Sequence, residues 1–176
     1  EKMNEKIRSR GPDDKGFWFS PECNIGFGHR RLSIIDLSKA GHQPMLSASG
    51  RYKIVFNGEI YNHKDLRKEI SLERRIFKWR GHSDTETLIN GFDLWGIRKT
   101  VEKSTGMFSF AVWDKKDNAL TLGRDRIGEK PLYYGWNGDS FLFASEIKAL
   151  SIHPKFDPTL NLDALTLFFR HASIPA

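Results

Sequence analysis

The chain has 176 residues, with 28 Lys and Arg against 22 Asp and Glu, for a formal charge of +6. A hydrophobic share of 39% suits one domain with a core, and no run nears the roughly 18 apolar residues of a membrane span. The basic residues are scattered, densest at Glu73-Arg74-Arg75 and Lys78-Trp79-Arg80, so the charge reads as a solvated face and neither nucleic acid nor membrane is an expected partner.

The start, Glu1 to Lys6, is charged and lacks the apolar stretch of a signal peptide. Cys23 is the sole cysteine, which excludes an internal disulfide framework and fits a reducing cytoplasm. Asn4 to Ser9 reads as the end of a helix, broken by Arg10-Gly11-Pro12. Gly16 to Phe19 and Ile25 to Leu32 read as strands across a turn at Pro21 to Asn24. Ser38 to Gly50, with Gly41, Pro44 and Gly50, reads as a loop. Arg51 to Phe56 alternates like a strand.

His63 to Glu73 has helical composition, with Leu66 and Ile70 on one face. Ser83-Asp84-Thr85-Glu86 has the form of a capping box, and Leu88, Ile89, Phe92 and Trp95 follow at helical spacing until Gly96. A short helix is expected from Arg98 to Lys103. Strands are then expected at Met107 to Asp114, Ala119 to Arg124, Pro131 to Trp136 and Ser140 to Ala144, the last two joined at Asn137-Gly138-Asp139. Ser145 to Leu150 reads as helical, Pro154 to Pro158 as a linker and Asn161 to Arg170 as a last helix. Strand-rich and helical stretches that come in blocks imply a layered α+β fold.

The run Phe56-Asn57-Gly58-Glu59-Ile60-Tyr61-Asn62 sets an amide, a glycine backbone and a carboxylate side by side. Asn-Gly is a strong hairpin signal, and a turn is the simplest reading of the tripeptide. The same trio could hold an oxyanion and an ammonium group, because the amide and the unshielded backbone N–H donate while Glu59 is negative. Asp84 reads locally as a carboxylate in the first turn of a helix, where the dipole favours it. Arg31 reads locally as an arginine at a strand end.

Six motifs stand in order: Arg10 to Asp14, Gly28 to Leu37, Asn57 to Asn62, Ser83 to Glu86, Gly123 to Tyr134 and Ser145 to Leu150. Together they resemble the glutaminase domain of the glutamine-hydrolysing asparagine synthetases, which are class II glutamine amidotransferases. The resemblance runs from about Arg10 to the end. It implies an N-terminal-nucleophile hydrolase sandwich, α/β/β/α in four layers with the first strand expected to be missing from this chain, over residues 1–155, with 156–176 leading towards a synthetase domain. It also implies hydrolysis of the glutamine side-chain amide, with an N-terminal cysteine as nucleophile and its own amino group as base.

Carried over by motif position, Arg31 would clamp the glutamine carboxylate through its planar guanidinium, with the backbone around Ile34 and Ile35 lining the pocket. Arg30 reads as structural. Asn57 and the Gly58 N–H would form the oxyanion hole, and Glu59 and Asp84 would hold the ammonium group. No metal is expected in this domain and no cofactor; ATP and magnesium belong to the synthetase domain. L-glutamine and that domain are the expected partners, with a homodimer allowed. Gly123 to Tyr134 lacks the Gly-Lys-Ser/Thr end of a phosphate loop. Arg124, Asp125 and Lys130 there read as a structural charge network near a domain interface, and Ser145 to Leu150 as a contact surface.

The family's cysteine start is not found at Glu1, so the expectation is a pocket that binds glutamine without cutting it. Cys23 lies in a turn and is not expected to replace it, with or without His29 as its base. Ser9 stands where the family has His. The intact set of pocket residues favours a segment of a longer enzyme over a decayed variant. A regulatory domain, or an amidotransferase serving a polysaccharide pathway, is the alternative.

Overall fold

The computed structural model describes residues 1–74, 78–154 and 156–173. Arg75 of the first basic cluster and Lys155 of the expected linker lie outside the described residues. Helix α1 (Lys2–Lys6) and a 3-10 turn (Arg8–Arg10) lead into the hairpin β1 (Asp14–Ser20) and β2 (Ile25–Arg31). The loop that follows contains a 3-10 turn at Lys39–Gly41 and a two-residue strand, β3 (Met45–Leu46). Then come β4 (Tyr52–Ile60), α2 (His63–Glu73), α3 (Asp84–Trp95), α4 (Ile97–Lys103), β5 (Gly106–Asp114) and β6 (Ala119–Arg124). A second hairpin, β7 (Tyr133–Asn137) and β8 (Ser140–Ala144), precedes α5 (Ile147–Leu150) and α6 (Leu162–His171).

The central layer is an antiparallel sheet in the order β3-β4-β5-β6. One face is covered by α2, α3 and α4, where Ile54, Phe56 and Ile60 of β4 meet Leu66, Leu88 and Phe92. Burying each such side chain contributes about 1.5–3 kcal/mol. The other face carries Val55, Ala111 and Trp113, packed against Phe27 of the first hairpin and Phe143 of the second. That alternation along β4 is the period of two expected of a strand buried on both faces. Outside the hairpins, α1 packs on α5 and β2, and α5 on β8. The result is a mixed fold of antiparallel sheets between helices, in agreement with the four expected layers. The second sheet layer is divided into two hairpins with no hydrogen bonding between them among the described residues.

Two local readings need correction. The Asn57-Gly58 pair is not a turn: β4 runs through it to Ile60, with Asn57 opposite Ser109 and Gly58 opposite Phe108. Pairing with β5 overrides the local preference, and Gly58 permits it by close approach. A Cβ there would come within 2.6 Å of Phe108 Cα. The capping box at Ser83 is only half formed. Ser83 Oγ accepts from Glu86 N–H at 3.1 Å. The buried Glu86 carboxylate instead takes Arg80 N–H at 2.8 Å and Gly81 N–H at 3.0 Å. Among the described residues, no helix is long and apolar enough to cross a membrane.

Candidate active site

The site is built on the free edge of β4. Strand β3 pairs with Ile54 and Lys53, so from Phe56 onward that edge has no neighbouring strand among the described residues. In an antiparallel ladder, alternate residues turn their N–H and C=O groups away from the partner strand. Phe56 and Ile60 do so. Phe56 N–H donates to Gln43 Oε1 at 2.7 Å, and Ile60 N–H donates to Asp84 Oδ2 at 2.9 Å. Gly58 lies between them with the same parity. Its opposite residue, Phe108, likewise turns away from β4 and bonds the Asp125 backbone and carboxylate. The Gly58 N–H therefore points out of the free edge, where no acceptor among the described residues takes it.

Asn57 stands beside this donor. It shares the hairpin-facing side of β4 with Val55, and its Nδ2 is buried without an acceptor among the described residues. Burying an amide donor without a partner costs roughly 1–3 kcal/mol, so the group calls for an acceptor that the described residues do not supply. Two donors on adjacent residues are thus left without an acceptor among the described residues, the kind of pair that could hold a developing negative oxygen.

The carboxylates lie one step further along. Asp84 starts α3, 5% exposed, and its second oxygen accepts its neighbour's N–H, from Thr85, at 2.8 Å. Burial pushes the Asp84 carboxyl up from its ordinary value, against the pull of those two backbone bonds, and the charge of Glu59 adds to the rise. Burial also lowers His63, whose ring feels both Asp84 and Glu59. The charge of Glu59 reaches Asp84, and a cation beside the two would favour their ionised forms.

Arg31 ends β2 on the same face as Phe27 and His29. That face meets β4, because the His29 ring lies 3.0 Å from Phe56 O. The Arg31 guanidinium donates to Ser38 O at 2.9 Å and to Asp36 O, leaving further donors for an anion. Arg30 points the other way and bonds Asn4 O and Glu5. Ile34 and Ile35 lie in the loop that Arg31 holds, with side chains 71% and 36% exposed. That loop is joined to the start of α3 through buried Asp36, whose carboxylate takes Ser38 Oγ at 2.6 Å and His82 N–H at 2.7 Å. Burial works to raise Asp36, but the hydrogen bonds from Ser38 and His82 outweigh it and hold the group at about 2.

The expected residues therefore come together on three linked pieces: Asn57, Gly58 and Glu59 on β4, Asp84 bonded to β4, and Arg31 with its loop. A groove of about 560 Å³ between the two hairpins includes Asn57, His29 and Ser109 but not Arg31, Glu59 or Asp84. Of the polar set, Asn57 borders that largely apolar space, while Arg31, Glu59 and Asp84 lie outside it. Cys23 is not part of the site. It is exposed at the β1–β2 turn, with Asn118 Oδ1 3.8 Å from its Sγ. Asn118 lies beyond Asp114, five residues along β5 from Ser109. That separation is about 17 Å along the strand.

Three further residues have supporting roles that the sequence reading does not assign. Gln43 and His29 bond the Phe56 backbone beside Asn57, while Asp36 takes the Arg31 guanidinium on its carbonyl and His82 N–H, two residues before Asp84, on its carboxylate. Their one local signal is polarity at positions the fold buries. Elsewhere, Asp125 accepts Glu129 N–H at 2.8 Å and Lys130 N–H at 3.0 Å, while Arg124 bonds Lys130 O and Gly128 O at 2.6 Å each. The 124–130 segment folds on itself by these bonds.

Known proteins give this arrangement a context. All of residues 1–176 match the family described as glutamine amidotransferase domain. Asparagine synthetase [glutamine-hydrolyzing] 3 of Bacillus subtilis is 41% identical over 171 residues, 96% of this chain and 27% of that protein. A putative asparagine synthetase [glutamine-hydrolyzing] 2 of Methanocaldococcus jannaschii is 37% identical over 99% of this chain and 36% of that protein. The chain thus spans about a third or less of the length of these relatives. Among solved structures, the glutamine phosphoribosylpyrophosphate amidotransferase of B. subtilis superposes with a TM-score of 0.61 at 22% identity, over 73% of this chain and 29% of that one. That likeness concerns the fold, while the matches in sequence concern descent. The chain belongs to the glutamine amidotransferase domain family.

Proposed function

We propose that the chain is the glutaminase domain of an asparagine-synthetase-like enzyme and takes ammonia from the glutamine side-chain amide. The observation that carries this reading is the pair of adjacent donors, Asn57 Nδ2 and Gly58 N–H, neither engaged by the described residues. They would hold the amide oxygen as it gains charge. Glu59 and Asp84 would hold the α-ammonium group, and Arg31 the α-carboxylate. A cysteine thiolate would add to the amide carbon, ammonia would leave, and water would release glutamate from the thioester.

Cys23 stands too far along the sheet for that role, so hydrolysis needs a cysteine carried outside these 176 residues. Without it, the pocket binds glutamine and leaves the amide intact. The ammonia would pass to an ATP-dependent synthetase domain, with aspartate as acceptor and asparagine as product. ATP and magnesium would be held by that domain, in a cytoplasmic enzyme. Titration of the ¹⁵N-labelled chain with glutamine tests the binding step. Saturable shifts of the Asn57 side-chain amide, the Gly58 N–H and the Arg31 side chain are expected. A titration that moves none of them contradicts the reading.

A further inference from the structure

Gln43 lies in the loop before β3, 94% buried by its 6% exposure, yet nothing about glutamine recognition requires it there. Its carboxamide reaches the free edge of β4. Oε1 accepts Phe56 N–H at 2.7 Å, and Nε2 donates to Phe56 O at 3.3 Å and to Thr85 Oγ1 at 3.4 Å. A side-chain amide carries the same acceptor and donor as a peptide group. Gln43 therefore makes the pair of bonds that another strand would make, at the point where β3 has ended. Its own backbone is held in turn. It lies so close to Gly16 of β1 that a Cβ on Gly16 would fall within 2.8 Å of the Gln43 carbonyl carbon.

The location matters because Phe56 O belongs to the peptide plane that ends in Asn57 N. An unpaired edge is free to twist, and a small rotation of that plane would redirect both the Asn57 side chain and the Gly58 N–H. His29 adds a second bond to the same oxygen, 3.0 Å from its Nε2. The contact with Thr85 continues to the residue beside Asp84. We infer that Gln43 is a positioning residue: it sets the angle of the oxyanion donors and joins them to the start of α3. The inference rests on the amidotransferase reading of the site.

The test uses the full-length protein that carries this chain, with Gln43→Met, which is similar in size and removes all three side-chain bonds. The expected result is a fall in kcat for glutamine hydrolysis of about 10- to 100-fold, below the full loss of an oxyanion donor, with KM for glutamine within about twofold. An electrophilic glutamine analogue, which alkylates the cysteine without an oxyanion, should still label every molecule. An unchanged kcat, or a labelled fraction that falls in step with it, overturns the inference. Gln43→Glu offers a second route should Gln43→Met fold poorly. Protonation restores its donor, so its activity relative to wild type should recover as pH falls. A flat ratio counts against the inference.

If wild type releases no ammonia, the amidotransferase reading fails by itself. The ¹⁵N spectrum then decides on Gln43: displaced Gly58 and Asn57 amide signals in Gln43→Met support the positioning role, and undisturbed signals refute it.

Discussion

Ile60 N–H donates to the Asp84 carboxylate at 2.9 Å, so the strand bearing Asn57 and Gly58 is bonded directly to the first residue of α3. One group thereby serves the fold and the site. Both Asp84 oxygens accept backbone N–H groups, and an asparagine could accept through only one. Asp84→Asn should cost about 1–3 kcal/mol of stability and weaken glutamine binding by more than tenfold. Denaturant unfolding and calorimetric titration would measure the two effects separately.

The raised Asp84 carboxyl gives a pH signature. Burial makes the native state hold this proton more tightly than the unfolded chain does. The stability tied to the group is therefore present at low pH and lost as pH rises through the native value. A bound ammonium group favours the ionised form, so glutamine should lower the Asp84 value and bind more weakly as pH falls through it. Carboxyl ¹³C titration with and without glutamine reads both shifts directly. A value that glutamine does not lower would remove Asp84 from the ammonium site.

His29 has the opposite sign. Burial depresses its imidazole from 6.5 to about 4, although the bond with Phe56 O works the other way. A carbonyl only accepts, so the neutral ring must carry its proton on Nε2. The unfolded chain binds a proton near pH 6.5 that the native chain refuses until about 4. Stability should therefore decline as pH falls across that window, by about 3 kcal/mol in all. In His29→Gln that share of the decline should vanish, as followed by denaturant midpoints between those limits.

Gly58 is set by space. An alanine Cβ would press on Phe108 Cα and Met107 O of β5. Gly58→Ala should cost about 1–3 kcal/mol through overpacking, and the displaced strand should lose its aim at the substrate. Thermal unfolding checks the first effect, and glutamine titration the second.

Most elements were legible in the sequence because their signals are local. The Ser83 cap, the spacing of Leu88, Ile89 and Phe92, and the Asn137-Gly138-Asp139 turn all lie within a few residues of what they determine. The Asn57-Gly58 pair was read towards a turn because its deciding partners, Ser109 and Phe108, lie some fifty residues away. Glu86 was expected to complete its cap, yet bonds with Arg80 and Gly81 N–H groups used it instead. The roles expected of Arg31, Asn57, Gly58, Glu59 and Asp84 come from resemblance, whereas Gln43 and Asp36 make bonds that have no local signal beyond polarity. Their importance lies in backbone atoms they reach only in the folded chain.

The central claim is that Asn57 and Gly58 form a hole for the amide oxygen of glutamine. Its most direct test is ammonia release from glutamine by the full-length protein with Asn57→Ala. The account predicts a loss in kcat of about 100- to 1,000-fold with KM changed by no more than a few-fold. An undiminished kcat in a properly folded variant would contradict it.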